Sequence, residues 1–108
     1  MHTLRRRGTL EPDDLDAALR DYVVVDVRSR NQWRLGHIPG SVHLPIDRLR
    51  TGDHPSAEPL PVAVLADCDA DADEAVHLLI AHGHDAVTVV GGAAAWRAAG
   101  RCLVTNPD

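Results

Sequence analysis

Lysine and phenylalanine are absent from this 108-residue chain, and aromatic residues make up only 3% of it. Without Phe, a core must be built from Val, Ala and Leu, with two Trp and one Tyr to help. Basic charge is scarce: 11 Arg face 16 acids, for a formal net charge of −5. That deficit argues against a general binder of nucleic acid or of anionic membranes, since both need a basic surface. The one basic run, Arg5-Arg6-Arg7, is short, and no apolar stretch follows it, so a secretory leader is not expected. No run approaches the length of a transmembrane helix. Cysteine is limited to Cys68 and Cys102, too few for a disulfide framework, and the expectation is a reduced, cytoplasmic compartment. Repeats and low-complexity linkers are also missing. Ala, Asp, Val and Arg dominate, as in bacterial-type chains encoded by GC-rich genomes.

What remains is ordinary for one globular domain spanning 1–108, with its core over about 10–100. The chain is organised around Pro61 to Gly83. A short apolar run, Val62 to Leu65, breaks into alternating Asp residues and closes on a segment bearing Val76, Leu79 and Ile80. This reads as buried strand, tight loop and helix, a junction at which ligands bind in parallel α/β proteins. Cys68 lies in its middle.

Taken in order, Pro12 to about Arg20 reads as a helix, with Pro at its start and acids in its first turn. Tyr22 to Val27 is β-branched and nearly continuously apolar, the pattern of a central parallel strand. Asp26 interrupts it, and Arg28 is the nearby cation to pair with that charge. Ser29 and Gln32 have capping-box spacing and open a short helix that should carry Trp33 and Leu35 inward and end at Gly36. His37-Ile38-Pro39-Gly40 is a turn. Ser41 to Leu44 reads as a brief strand and Pro45 to Leu49 as a helical turn. Arg50 to Pro61 is a polar surface loop. Ala86 to Val90 is a further strand. Gly91-Gly92 turns the chain into a helix bearing Trp96, which Gly100 stops. Strands alternating with helices give an α/β domain with a mainly parallel sheet and right-handed crossovers.

The segments Asp26-Val27-Arg28, Gln32-Trp33 and Gly36-His37-Ile38-Pro39-Gly40-Ser41 resemble the D-V-R…E-[FWY]…G-H-I-x-G-A signature of rhodanese-like domains. Gly91-Gly92-Ala93-Ala94-Ala95-Trp96 resembles that family's closing G-G-x-x-x-W. The likeness covers about Leu10 to Gly100. Gln32 stands where the family carries an acid, which removes a salt bridge to Arg28. The resemblance implies a three-layer fold, a parallel sheet of about five strands flanked by helices. It also implies sulfurtransferase chemistry in active members: a Cys thiolate after the fourth strand takes sulfane sulfur from a donor such as thiosulfate. The resulting persulfide passes its sulfur to cyanide or another thiol.

Against that pattern the organising stretch is unusual. Aligned without gaps between Val62-Ala63-Val64-Leu65 and Gly83, the nucleophile position falls on Ala66. The site loop is then Ala66, Asp67, Cys68, Asp69, Ala70, Asp71 and Ala72. Alanine has no nucleophile. Asp71 and Ala72 replace the Arg and Ser that many members carry. Cys68 could serve only if the loop were shortened by two residues, and Asp67 and Asp69 disfavour a further anion beside them.

The alternating acids have two readings. They can be helix N-cap and first-turn residues, which the helix dipole rewards. They can also suggest a cation loop, but Ala72 stands where that loop needs Gly and Leu78 where it needs Glu. No metal or cofactor is expected. Glu74 occupies the position where a Cys-x5-Arg phosphatase loop needs Arg. His77, His82 and His84 have poor ligand spacing and read as surface residues, while His37 and His43 read as structural or exposed. Trp33 and Trp96 read as core anchors, and Cys102 as a spare tail thiol. Two functions follow. One is a rhodanese-like binding or regulatory module without ordinary sulfur transfer, meeting an unidentified protein partner. The other is a sulfurtransferase that forms a persulfide on Cys68 from a small sulfur compound.

Overall fold

The computed structural model describes residues 9–55, 60–101 and 103–105. Its elements run β1 (Thr9–Leu10), α1 (Pro12–Ala17), a 3-10 turn (Leu19–Asp21), β2 (Val23–Asp26), α2 (Arg30–Leu35), β3 (Val42–His43), α3 (Ile46–Arg50), β4 (Val62–Leu65), α4 (Asp69–Ala81), β5 (Ala86–Val89) and α5 (Gly92–Ala98). The strands form one sheet in the order β1-β5-β4-β2-β3, and every pairing is parallel. β4 sits at the centre, with Val25 opposite Val64 and Ala63 opposite Val87.

Both faces of β4 are buried, as its unbroken apolar run requires. Alternation along it divides the core in two. Val62 and Val64 pack with Leu49, Ala72, Ala75 and Leu79 under α3 and α4. Ala63 and Leu65 pack with Leu10, Leu15, Ala93 and Trp96 under α1 and α5. With no Phe available, alanines fill part of the core: Ala72 and Ala75 of α4 on one face of the sheet and Ala93 of α5 on the other.

Two sequence expectations are corrected, and two features were not foreseen. The first helix ends at Ala17 and is followed by a 3-10 turn, because the chain must turn sharply into β2. Leu35 is not carried inward but is 71% exposed. Two positions after the buried Trp33, it lies about 200° around the helix. Ile80 is likewise 53% exposed beside fully buried Leu79. β1 was not expected, since two residues carry no periodicity; it pairs as Thr9 with Thr88 and Leu10 with Val89. The readings placed on the first eight residues and on Cys102 lie outside the described residues.

Asp26 and Arg28 do pair, and deeply: Asp26 is fully buried and Arg28 nearly so. Arg28 Nε donates to Asp26 Oδ1 at 2.9 Å and Nη2 to Oδ2 at 2.8 Å, while Asp26 Oδ1 also accepts the Arg28 backbone N–H at 3.0 Å. Nη2 reaches on to the Gly36 carbonyl at 2.6 Å. Trp33 belongs to neither apolar cluster; it is stacked between His37 (ring centroids 3.5 Å) and His43 (4.8 Å). His37 Nδ1 donates to the Trp33 carbonyl at 2.8 Å and His43 Nε2 to that of Arg28 at 3.0 Å. Both histidines are therefore structural, and His37 is buried.

The surface histidines group differently from their sequence spacing. His77 is apart, bonded to its own helix at the Asp73 carbonyl. His54 joins His82 and His84 instead: its ring stacks on His82 at 4.4 Å, and its Nδ1 lies 3.1 Å from His84 Nε2.

Removing one partner of the buried ion pair, as in Arg28→Met, leaves an uncompensated charge. It should cost about 3–5 kcal/mol in urea unfolding. Burial, then the nearby His54 and His82, hold His84 below the ordinary imidazole range. The unfolded chain thus binds the proton more readily. Stability should fall as pH drops from about 6.5 toward 5. Part of that fall should vanish in His84→Gln, read as the urea midpoint at each pH.

Candidate functional site

The carboxyl ends of β4 and β5 are adjacent because those strands pair, so the loops that follow them face each other. Ala66 follows β4 directly and is buried. Asp67 and Cys68 follow it and are exposed. Cys68 is the N-cap residue of α4, in extended conformation, and its carbonyl accepts the Ala72 N–H at 3.1 Å. The expected site loop is thereby shortened: Asp69, Ala70, Asp71 and Ala72 belong to the helix, with Asp69 and Asp71 in its first turn. Charge complementarity with the helix dipole favours this early start. Ala72 faces the core.

Opposite this loop, Gly91 and Gly92 both take positive φ, +74° and +60°. A Cβ on Gly92 would lie 2.1 Å from the Ala66 carbonyl oxygen. The glycine pair thus lets α5 begin in direct contact with the Ala66 backbone. Between the two walls is a cleft of about 60 Å³, lined by Ala66, Asp67, Cys68, Asp69, Ala72, Thr88, Val89, Gly91 and Gly92. Thr88 and Val89 were not anticipated; the pairing of β5 with β4 brings them in, and no local pattern marks them.

The lining holds two carboxylates and no basic side chain. Arg50, on α3, has its guanidinium forked onto Glu74 of α4 (Nε to Oε2 2.6 Å, Nη2 to Oε1 2.8 Å), and Nη1 bonds Asp47. That hydrogen bond holds the Glu74 carboxyl below its usual range and raises Arg50. Among the described residues, no three His, Cys, Asp or Glu side chains are grouped so as to hold a metal ion. The cleft can admit a water-sized group beside an exposed thiol. It offers an anion no guanidinium.

Five parallel strands between two helical layers, with a Gly-Gly turn closing on the loop after the central strand, define a rhodanese-type α/β domain. Residues 11–99 match the rhodanese-like domain family, and the chain belongs to it. The chain is similar to a rhodanese-related protein from Thermoplasma volcanium, at 28% identity and TM-score 0.83, covering 91% of this chain and 98% of that one. It is similar to the rhodanese-like domain of the Alr3790 protein from Anabaena, at 28% identity and TM-score 0.79, covering 94% and 81%. A rhodanese-like domain protein from Staphylococcus aureus is 25% identical with TM-score 0.78, over 92% and 98%. A 38-residue segment is 42% identical to an uncharacterized 16.5 kDa protein of Synechococcus elongatus. That segment is 35% of this chain and spans only 25% of the curated relative. No helix among the described residues is long and apolar enough to cross a membrane.

Gly92→Ala combines a backbone clash with Ala66 and a left-handed φ. It should destabilise the fold by about 2 kcal/mol or more. Gly40→Ala, also at positive φ but with open space around it, should cost less. Thermal unfolding of the two variants makes the comparison.

Proposed function

We propose that this rhodanese-like domain lacks thiosulfate sulfurtransferase activity and serves as a binding or regulatory module. The observation that carries this reading is Ala66. It directly follows the central strand and its carbonyl lies against Gly92, and the resemblance to the family puts the nucleophile at this position. A methyl group there cannot attack sulfur. The carboxylates of Asp67 and Asp69 in the cleft repel a dianionic donor, and Arg50 is paired with Glu74.

Cys68 motivates a second reading. It is exposed, lines the same cleft and caps the amino end of α4. In that reading its thiolate attacks the sulfane sulfur of thiosulfate, sulfite leaves with the bonding pair, and the persulfide yields its outer sulfur to cyanide or a thiol.

Incubation with thiosulfate and cyanide separates the two. Thiocyanate formation at background is expected. Turnover that disappears in Cys68→Ala, with added sulfur mass on Cys68, would establish the second reading instead. Restoring the nucleophile tests the role of charge. Ala66→Cys alone should recover little transfer, and Ala66→Cys combined with Asp69→Asn and Asp71→Asn should recover more. Equal rates in the two variants would show that the charges of Asp69 and Asp71 are no obstacle.

A further inference from the structure

A second concavity, of about 290 Å³, opens between the start of α2, the end of β3 and α3. It is lined by Arg30, His43, Pro45 and Arg48, with no carboxylate in the wall. In a chain of net charge −5 this is a local inversion of sign. The other cations nearby are engaged: Arg28 by Asp26, and Arg50 by Asp47 and Glu74. Arg30 is exposed and forms no ion pair with any described residue. Arg48 is tied to Asp53 through Nε alone, which leaves its terminal amino groups without a described partner. His43 is fixed from below by the Arg28 carbonyl and by the face of Trp33, so one wall of the groove is rigid before any ligand arrives.

We propose that this groove binds a tetrahedral oxyanion, the phosphate or sulfur-oxyanion group of a small molecule, between the guanidiniums of Arg30 and Arg48. Planar guanidinium forks match such oxygens two at a time. The volume is near the lower limit for small-molecule sites, enough for the anion and a small attached group. Pro45 is the sole apolar residue of the lining, which disfavours a large hydrophobic ligand. This site is separate from the Ala66–Gly92 cleft and does not depend on whether Cys68 reacts.

The test is a titration of the isotope-labelled full chain with inorganic phosphate and, separately, with thiosulfate, each against chloride at matched ionic strength. Saturable NMR shifts at Arg30, His43 and Arg48 are expected. Whichever anion saturates at lower concentration assigns the source of the oxyanion. Arg30→Glu should weaken binding roughly tenfold or more. Arg48→Ala should weaken it as well. Arg20→Glu makes the same charge change in the turn before β2 and should leave binding intact. Shifts that merely follow ionic strength, or equal loss in Arg20→Glu, would overturn the proposal. Urea midpoints of all three variants, expected to match the parent closely, keep a folding defect from mimicking lost binding.

Discussion

The buried pair between Asp26 and Arg28 governs the carboxyl edge of the sheet. An ion pair with no water around it is tolerated only when its remaining hydrogen bonds are met, and here they are. Asp26 takes both the side chain and the backbone N–H of Arg28. Arg28 spends its other contact on the Gly36 carbonyl and so ties the end of α2 to the end of β2. Its own carbonyl receives His43 from β3. Trp33 is then held between two imidazoles whose positions those bonds define. The D-V-R and G-H-I-P segments, separate in sequence, form one polar knot that orients β2, α2 and β3 together.

The same edge carries two concavities of opposite sign. The acids that line the Ala66–Gly92 cleft or follow it along α4 have a structural use, since Asp69 and Asp71 stabilise the first turn of a 13-residue helix. That arrangement works against thiolate chemistry, which draws on the same helix terminus for anion stabilisation. Across β2, the Arg30–Arg48 groove presents cations instead. The fold matches that of the family, while the cleft beside Ala66 is lined by carboxylates and no basic side chain. Fold therefore says less about activity here than the few side chains at the strand ends.

Much of this was legible in the residues. The unbroken apolar runs of β2 and β4 place them at the sheet's centre, because only a strand buried on both faces can be apolar on both. Asp26 within such a run demanded a partner, and Arg28 is two residues away. Ser29 caps α2 as its spacing suggests, accepting the Gln32 N–H. Gly100, at positive φ, follows α5 as a stop. Less could be read where elements are short. β1 has two residues, too few to show a period, and exists only through pairing with β5. The site loop is shorter than its Asp alternation implies because helix propagation from Cys68 absorbs half of it.

By itself, the sequence determined the succession of strands and helices from β2 onward, the family, and the sign of charge along the loop after β4. These depend on neighbours within a few residues, or on motifs that survive as strings. Tertiary structure alone decided which distant groups meet. It brought Thr88 and Val89 to the cleft, pressed Gly92 against Ala66, set Arg50 on Glu74, joined His54 to His82 and His84, and left Arg30 beside Arg48. Such contacts follow from parallel pairing and crossover connections, whose partners lie tens of residues apart and leave no local period to read.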